Sequence, residues 1–307
     1  MKRQEAPAVG CDIGGTAIKL VRLRGRAVEE SLAVPTPARR SRAGVIDAIA
    51  EAIRSLASGP GSGLARPAVG VALPGFLDAA RARVIRLSNL PRLDGVPLGK
   101  ELERRLGVSV VLDTDTNAGA VAEARIGAGA AHERVLYLTA GTGLGAALAV
   151  RGEPVRVSRH TVGQVAHIPL DLRGPPCSCG SRGCAEVLLS ARGVLRRARR
   201  SGLRARSAED ICRIAGDGRP SGRDAAAARA VWREVGDLMG GLLRILSALF
   251  SPDIIIVGGG LAGAADLFLP AARRRLGRFG GAAVVPAARG RFAGAIGMAL
   301  LARDGLA

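Results

Sequence analysis

The feature that most constrains the fold is a strand, glycine turn and strand that occurs twice. Residues Ala8 to Ile13 predict a buried strand entering the turn DIGGT, and the alternating apolar residues from Ile18 to Leu23 predict a returning strand. Val135 to Thr139 enters a second turn, AGTGLG, which another apolar stretch follows. Such turns expose backbone N–H groups, and with a threonine hydroxyl they can hold a phosphate. The repeat therefore predicts two related α/β domains whose phosphate turns face each other across a cleft.

A carboxylate follows a further predicted strand between these two units. Residues Val108 to Leu112 predict a strand that runs into DTDTN, and open α/β sheets bind ligands at the carboxyl ends of their strands. Asp115 is therefore a candidate general base, with Asp113 as its rival. Either aspartate could instead cap the helix predicted to start near Asn117.

A cysteine-rich segment predicts a metal site. Three of the five cysteines lie in a CxCGxxGC motif, and one of the three histidines lies just upstream. The predicted ligands are His167, Cys177, Cys179 and Cys184. Three thiolates and an imidazole suit a closed, structural Zn²⁺ site, although reduced thiols or one disulfide would also fit the spacing. The second ring nitrogen of His167, and Glu186 after the last cysteine, could then face a polar ligand.

The last third of the chain predicts one long helix, one strand and a final helix. Ala225 to Phe250 carries an apolar stripe that includes Trp232, which we interpret as a core residue. Ile254 to Val257 predicts a strand that runs into three glycines, where a ribose and adenine could approach closely. The final helix, Gly294 to Ala302, is apolar enough to pack back on the first domain.

Composition limits the classes of function. The net charge is +19, yet only three of the 45 basic residues are lysines, which is at least as typical of GC-rich coding bias as of a functional surface. Aromatic residues make up 2%, so platforms for stacking bases are nearly absent. The densest basic run, Arg192 to Arg206, contains no DNA-reading motif. We also find no apolar run of membrane-spanning length and no signal peptide. We therefore expect a soluble cytoplasmic protein with reduced cysteines.

The order of these motifs resembles that of the ROK family (repressor, open reading frame, kinase). The resemblance covers nearly the whole chain and includes DIGGT, the PG at 74–75, SNLP at 88–91, the DxN that begins at Asp115, AGTGLG, the metal motif and VGGG. It implies an actin-like ATPase (ribonuclease H-like) fold, a homodimer and ATP- and Mg²⁺-dependent phosphorylation of a hexose or hexose derivative. The implied N-terminal lobe is 1–117 plus 291–307, and the C-terminal lobe, with the zinc loop and the nucleotide and dimer contacts, is 118–290. We expect no winged helix, because eleven residues precede Asp12.

The resemblance assigns roles residue by residue. Asp115 is the implied catalytic base. The implied sugar-binding positions are Asn89, Thr114, Asp115, Gln164, His167 and Glu186. The implied nucleotide- and Mg²⁺-binding positions are Asp12, Gly14, Gly15, Thr16, Lys19, Gly141, Thr142, Gly143, Gly259 and Gly260.

Three departures from the family pattern leave other functions open. Thr114 replaces the usual Asn, Gln164 replaces the usual Glu, and Arg159-His160 replaces small residues. Because these changes lie among the sugar-reading groups, a sugar-binding or regulatory protein with weak or no kinase activity is the alternative. A third hypothesis gives the basic surface a role, with polyphosphate as phosphoryl donor or nucleic acid as ligand.

Overall fold

Two mixed β-sheets organise the computed structural model, which describes residues 7–58, 67–87, 89–156, 163–216, 222–278 and 281–305. The chain divides into two compact units. Unit 1 comprises residues 1–130, 152–163 and 289–307, and unit 2 comprises 131–151 and 164–288.

In the first part of the chain, the described residues form seven strands and three helices. In chain order they are β1 (Ala8–Ile13), β2 (Ala17–Arg24), β3 (Ala27–Pro35), α1 (Arg42–Ala57), β4 (Ala68–Leu73), β5 (Gly75–Leu77), β6 (Val84–Leu87), a 3₁₀ turn (Pro91–Leu93), α2 (Leu98–Leu106), β7 (Val110–Thr114) and α3 (Asp115–Ile126). All of them belong to unit 1.

The second part begins in unit 2 and returns to unit 1. In chain order it contains β8 (Arg134–Ala140), β9 (Leu144–Val150), β10 (Glu153–Pro154), a 3₁₀ turn (Val165–His167), α4 (Ala185–Leu189), α5 (Ala191–Arg200), α6 (Ala208–Ala215), α7 (Arg223–Phe250), β11 (Ile254–Gly258), a 3₁₀ turn (Gly260–Ala264), α8 (Ala265–Leu276), β12 (Ala283–Pro286), a 3₁₀ turn (Gly290–Phe292) and α9 (Ala293–Asp304). Of these, β10, the last 3₁₀ turn and α9 belong to unit 1.

The main sheet of unit 1 has the strand order β3-β2-β1-β4-β7. β1 pairs antiparallel with β2 and parallel with β4, and β4 pairs parallel with β7. Both faces of the inner strands are covered, which explains why β4 is a continuous apolar run and why Asp12 is the only charged residue of β1. Helices α1 and α2 contribute to the hydrophobic core on one face, and α3 and α9 to the core on the other.

Helix α9 lies very close to the sheet because glycines face it. A Cβ atom added to Gly10 would lie 1.8 Å from the carbonyl oxygen of Ala295, and one added to Gly70 would lie 2.3 Å from that of Met298. Only glycine allows a helix backbone to approach a strand this closely. The final helix therefore packs back on the first domain, as the sequence predicts.

Unit 2 repeats this strand pattern. Within the unit the order is β9-β8-β11-β12, with β8 antiparallel to β9, parallel to β11, and β11 parallel to β12. Helices α7 and α8 pack together, and the rings of Trp232 and Phe268 stack with centroids 6.0 Å apart. Trp232 is fully buried, so its predicted role as a core residue is confirmed.

Three sequence-based boundaries differ from the structure. The strand predicted over Val108 to Leu112 lies two residues later, and the helix predicted from near Asn117 begins at Asp115. The cap explains the shift, because the hydroxyl of Thr114 accepts the N–H of Asn117. The predicted lobe boundary after residue 117 falls inside α3, whereas unit 1 continues to Ala130. Among the described residues, no helix is both long and apolar enough to span a membrane.

Candidate active site

The first glycine turn joins β1 to β2 and is open to solvent. Gly14 donates its N–H to the carbonyl oxygen of Ala17 at 3.0 Å, and the hydroxyl of Thr36 donates to the carbonyl oxygen of Gly14 at 2.7 Å. Gly15 and Thr16 are exposed. Asn89 lies directly against the turn, since a Cβ atom added to Gly15 would lie 2.7 Å from its side-chain nitrogen. Unit 1 therefore brings a predicted sugar-binding residue next to the predicted phosphate turn.

A partly buried ion pair lies at the base of this turn. Lys19 donates to Asp12 with 3.1 Å between Nζ and Oδ2. Burial raises the pKa of Asp12, and Lys19 partly opposes that rise. Gly294 at the start of α9 makes room for the carboxylate, because a Cβ atom there would lie 2.9 Å from Cγ of Asp12. A carboxylate that could bind a hydrated Mg²⁺ is thus held where β1 ends.

Asp115 is the first residue of α3 and has the electrostatics of a general base. The residue is half-buried, and its carboxylate accepts the N–H of Thr116 at 2.8 Å. Burial, and next the negative charge of Asp12, raise the pKa of Asp115 from 3.8 to about 7. A carboxylate with a pKa near neutral is matched to accepting a proton at physiological pH.

Asp113, the other candidate base, is fully buried, and its carboxylate already has hydrogen-bond and ion-pair partners. It accepts the N–H of Thr114 at 2.7 Å and the side-chain amide of Asn117 at 2.8 Å, and it pairs with the guanidinium of Arg156. A carboxylate with these partners and no exposed surface has little access to a substrate proton. The geometry therefore favours Asp115.

The hydroxyl of Thr114 holds the start of α3. Besides accepting the N–H of Asn117 at 3.3 Å, it lies 3.2 Å from the hydroxyl of Thr116, and the residue is buried. Threonine and asparagine both serve well as helix caps. The departure at this position therefore keeps the cap that orients Asp115.

Unit 2 assembles its own group of predicted residues around the second glycine turn. The N–H of Gly141 donates to the carbonyl oxygen of Gly143 at 2.9 Å, while Thr142 and Gly143 are exposed. A Cβ atom added to Gly141 would lie 3.3 Å from the backbone nitrogen of Gly260, so the glycines after β11 adjoin this turn. The carboxylate of Glu186 accepts the N–H of Leu144 at 3.3 Å.

The four predicted metal ligands converge in unit 2. The ligand atoms of His167, Cys177, Cys179 and Cys184 all lie within 4.8 Å of one another. Nδ1 of His167 is 3.6 Å from Sγ of Cys177, and Sγ of Cys179 is 3.6 Å from Sγ of Cys184. Tetrahedral Zn²⁺ with Zn–S bonds of about 2.3 Å places sulfurs about 3.8 Å apart. The donor set and its spacing therefore fit zinc.

Gln164 and His167 lie on one 3₁₀ turn. Gln164 is exposed at the start of this turn, and its carbonyl oxygen accepts the N–H of His167 at 2.9 Å. The backbone thus links a predicted sugar-binding position to a metal ligand. Arg159 and His160, the other departure from the family pattern, lie outside the described residues.

Each unit carries some of the predicted site residues. Unit 1 carries Asp12, Gly14, Gly15, Thr16, Lys19, Asn89, Thr114 and Asp115. Unit 2 carries Gly141, Thr142, Gly143, Gln164, His167, Cys177, Cys179, Cys184, Glu186, Gly259 and Gly260.

Three residues that support the site were missed by sequence reasoning. They are Thr36, which holds the first turn, Gly294, which accommodates Asp12, and Arg156, which neutralises Asp113. Each lies more than 20 residues from its partner, and no motif marks it.

Comparison with known proteins identifies the family. The family model described as "ROK family" matches residues 8–305. A glucokinase from Streptomyces coelicolor is 34% identical over 96% of this chain and 97% of its own. A solved ROK hexokinase from Thermus thermophilus is 31% identical with a TM-score of 0.81, covering 98% of this chain and 99% of its own.

A second similar solved structure contains a sugar and a nucleotide analogue. It is a ROK family glucokinase from Streptomyces griseus in complex with glucose and AMPPNP, 30% identical with a TM-score of 0.79, covering 97% of this chain and 100% of its own. The chain belongs to the ROK family, as the sequence predicts. Since the solved ROK sugar kinases have the actin-like ATPase fold, the predicted fold is confirmed as well.

Proposed function

We propose that this protein transfers the γ-phosphoryl group of ATP to a hydroxyl of a hexose, with glucose as the first sugar to test. The observation that carries the proposal is Asp115, whose pKa of about 7 and position beside the Asp12–Lys19 pair are those of a general base at a phosphoryl-transfer site. The full-length likeness to glucokinases supports a hexose as acceptor and ATP as donor.

The proposed reaction needs a proton acceptor and a means of holding phosphate. Asp115 accepts the proton of the sugar hydroxyl while the hydroxyl oxygen forms a bond to the γ-phosphorus. At the same time the bond between the γ-phosphorus and the β–γ bridging oxygen breaks, and ADP leaves. The exposed backbone of Gly15 and Thr16 binds phosphoryl oxygens, and Lys19 fixes the orientation of Asp12. Mg²⁺, when bound with ATP, would neutralise phosphate charge near Asp12.

We assign the remaining predicted residues by their surroundings. In unit 1, Asn89 lies against the phosphate turn, which supports a contact with the sugar close to the transferred phosphoryl group. Thr114 contributes by capping α3, so its predicted contact with the sugar stays a prediction. In unit 2, the turn of Gly141 to Gly143 and the adjoining Gly259 and Gly260 would receive the nucleotide. Gln164, His167 and Glu186 would read sugar hydroxyls.

We further propose that the Cys₃His cluster holds a structural Zn²⁺. The four ligands leave no open position, so the ion would not take part in the chemistry. Residue His167 is a ligand, Gln164 starts the turn that carries it, and Glu186 follows the ligand Cys184 by two residues. Zinc would therefore order a loop whose neighbouring side chains read the sugar. Thiolate ligands and free cysteines favour the reducing cytoplasm.

We also propose a homodimer that uses an exposed apolar face of α7. Leu238, Gly241, Ile245, Ala248 and Leu249 follow helical spacing along one face of that helix. The side chain of Leu249 is 64% exposed and that of Ile245 is 37% exposed. Contiguous exposed apolar residues on a soluble domain mark interaction surfaces.

ADP release with a panel of hexoses and N-acetylhexosamines tests the kinase proposal. We expect turnover of glucose with Mg-ATP, and a loss of kcat of at least about 10²-fold in Asp115→Asn. Circular dichroism and metal content of this variant should match those of the unmodified protein. Calorimetric sugar binding without ADP release would instead identify the sugar-binding alternative. Formation of the sugar phosphate with polyphosphate but not with ATP, measured directly because polyphosphate releases no ADP, would identify another donor.

A further inference from the structure

A separate cavity opens beside the edge strand of the unit 1 sheet. It has a volume of about 310 Å³ and contains none of the residues of the proposed active site. Its lining consists of Ala80, Arg81, Ala82, Gly99, Lys100, Glu103, Val110, Val111 and Leu112. These residues come from the turn before β6, the first two turns of α2 and the outer strand β7. The volume is in the range of cavities that bind small molecules.

The charge that this cavity presents is positive. Arg81 and Lys100 line it, and the single acidic lining residue, Glu103, is already engaged because Oε1 accepts the N–H of Val110 at 3.1 Å. Burial, and next the positive charge of Arg156, lower the pKa of Arg81. Asp113 is the one anion that opposes this shift, and Arg156 pairs with it directly. An added anion would therefore relieve the repulsion between two guanidinium groups.

Hydrogen-bond donors in the same region lack partners. Among the described residues, Nε of Arg81 and Nε of Arg156 are buried with no hydrogen-bond acceptor. Buried N–H donors normally find an acceptor, so these two Nε–H groups could donate to an oxygen of a bound anion. Arg81 is held in place despite a φ of 52°, since its N–H donates to the carbonyl oxygen of Asp78 at 2.8 Å. Such strained backbone positions cluster at functional sites.

The amino-terminal turn of α2 adds a second, independent source of positive potential. Gly99 and Lys100 lie in this turn and line the cavity, while Pro97 at the cap position provides no side-chain acceptor. Free N–H groups and the helix dipole make such a turn favourable for anions. Glu101 in the same turn is paired with Arg104 and Arg105.

We propose that this cavity binds a small phosphate-bearing anion, either a phosphate monoester or free phosphate. Arg81 and Lys100 would contact the phosphate oxygens by charge-assisted hydrogen bonds. Val111, Leu112 and Ala80 provide an apolar wall that suits the carbon skeleton of a monoester. This site does not depend on the kinase reaction, because none of its residues takes part in phosphoryl transfer.

The test is a titration of the full-length protein with glycerol 3-phosphate and with inorganic phosphate at constant ionic strength. Binding is followed by the ¹⁵N–¹H resonance of Nε of Arg81, assigned by its absence in Arg81→Gln, and by calorimetry. We expect this resonance to shift saturably. We also expect Arg81→Gln and Lys100→Gln to weaken binding at this site about tenfold. Tighter binding of glycerol 3-phosphate would identify a monoester as the ligand, and equal binding would identify free phosphate.

The matched control is Arg104→Gln, which removes one charge from α2 without touching the cavity. It should change affinity less than twofold. The proposal is wrong if phosphate binds while the Arg81 resonance stays still, or if Arg104→Gln weakens binding as much as Lys100→Gln. Because Lys100 is exposed, its replacement should leave the thermal melt unchanged, which separates lost binding from lost folding. None of these readouts requires turnover.

Discussion

Asp115 combines two environments that rarely coincide in one carboxylate. Its position at the first turn of α3 favours the charged form of the carboxylate. Burial and the neighbouring Asp12 favour the protonated form, and together they outweigh the effect of the helix. Because the base must be ionised to accept a proton, we expect kcat/KM to rise about tenfold per pH unit below pH 7 and to level off above it. An unperturbed aspartate would reach this plateau near pH 5.

The cause of this shift can be tested apart from catalysis. Removing the negative charge of Asp12 by Asp12→Asn should lower the pKa of Asp115, read from its ¹³C carboxyl resonance in the free protein. Asp47→Asn, which changes an exposed aspartate on α1, should leave that resonance unchanged. A pKa near 4 in the unmodified protein would contradict the assignment of Asp115 as a base tuned to neutral pH.

Sites formed by residues close in sequence could be predicted, whereas individual side-chain contacts between distant residues could not. The metal ligands lie within 18 residues of one another, so their spacing alone indicated a common site. The pairing of Asp113 with Arg156 joins residues 43 positions apart, and the contact of Asn89 with Gly15 depends on how two loops meet. Such contacts follow from the packing of whole elements, which periodicity does not specify.

At the scale of elements, α9 is the part of unit 1 most sensitive to added volume. Gly10→Ala would place a methyl group 1.8 Å from the carbonyl oxygen of Ala295, so the helix must move away from the sheet. We expect a loss of about 3 kcal/mol in the free energy of unfolding, measured by urea denaturation. In Gly99→Ala the nearest atom lies at 3.7 Å, and helix propensity should increase stability by about 0.5 kcal/mol. Equal stability of the two variants would show that α9 is not seated this closely.

If the proposed zinc orders the loop that reads the sugar, loss of one metal ligand should weaken sugar binding. Cys179 has an exposed thiol, so Cys179→Ala removes a ligand with little loss of packing. We expect this variant to lose its zinc, measured by elemental analysis, and to raise the glucose KM at least about tenfold while changing kcat less. Cys212→Ala, which lies outside the cluster, should retain both zinc and affinity. An unchanged KM in the zinc-free protein would contradict the positioning role of this loop.

In many places across the molecule, arginine side chains donate hydrogen bonds to backbone carbonyl oxygens. Arg22 donates to the carbonyl oxygen of Leu56, Arg197 to that of Leu188, and Arg303 to that of Gly25. The basic run on α5 includes Arg196 and Arg197, which satisfy carbonyl oxygens of α4. These arginines therefore have structural roles that need no nucleic-acid partner.

The proposed homodimer can be tested by changing the exposed apolar face of α7. If a second copy covers the apolar face of α7, Leu249→Arg places a charge in that interface and should raise the dimer dissociation constant at least about 100-fold. Light scattering across a dilution series measures this change. Val28→Arg, at an exposed apolar residue on β3, should leave the dimer intact, because β3 lies in unit 1. A dimer that persists in Leu249→Arg, or that Val28→Arg dissociates instead, would place the interface elsewhere.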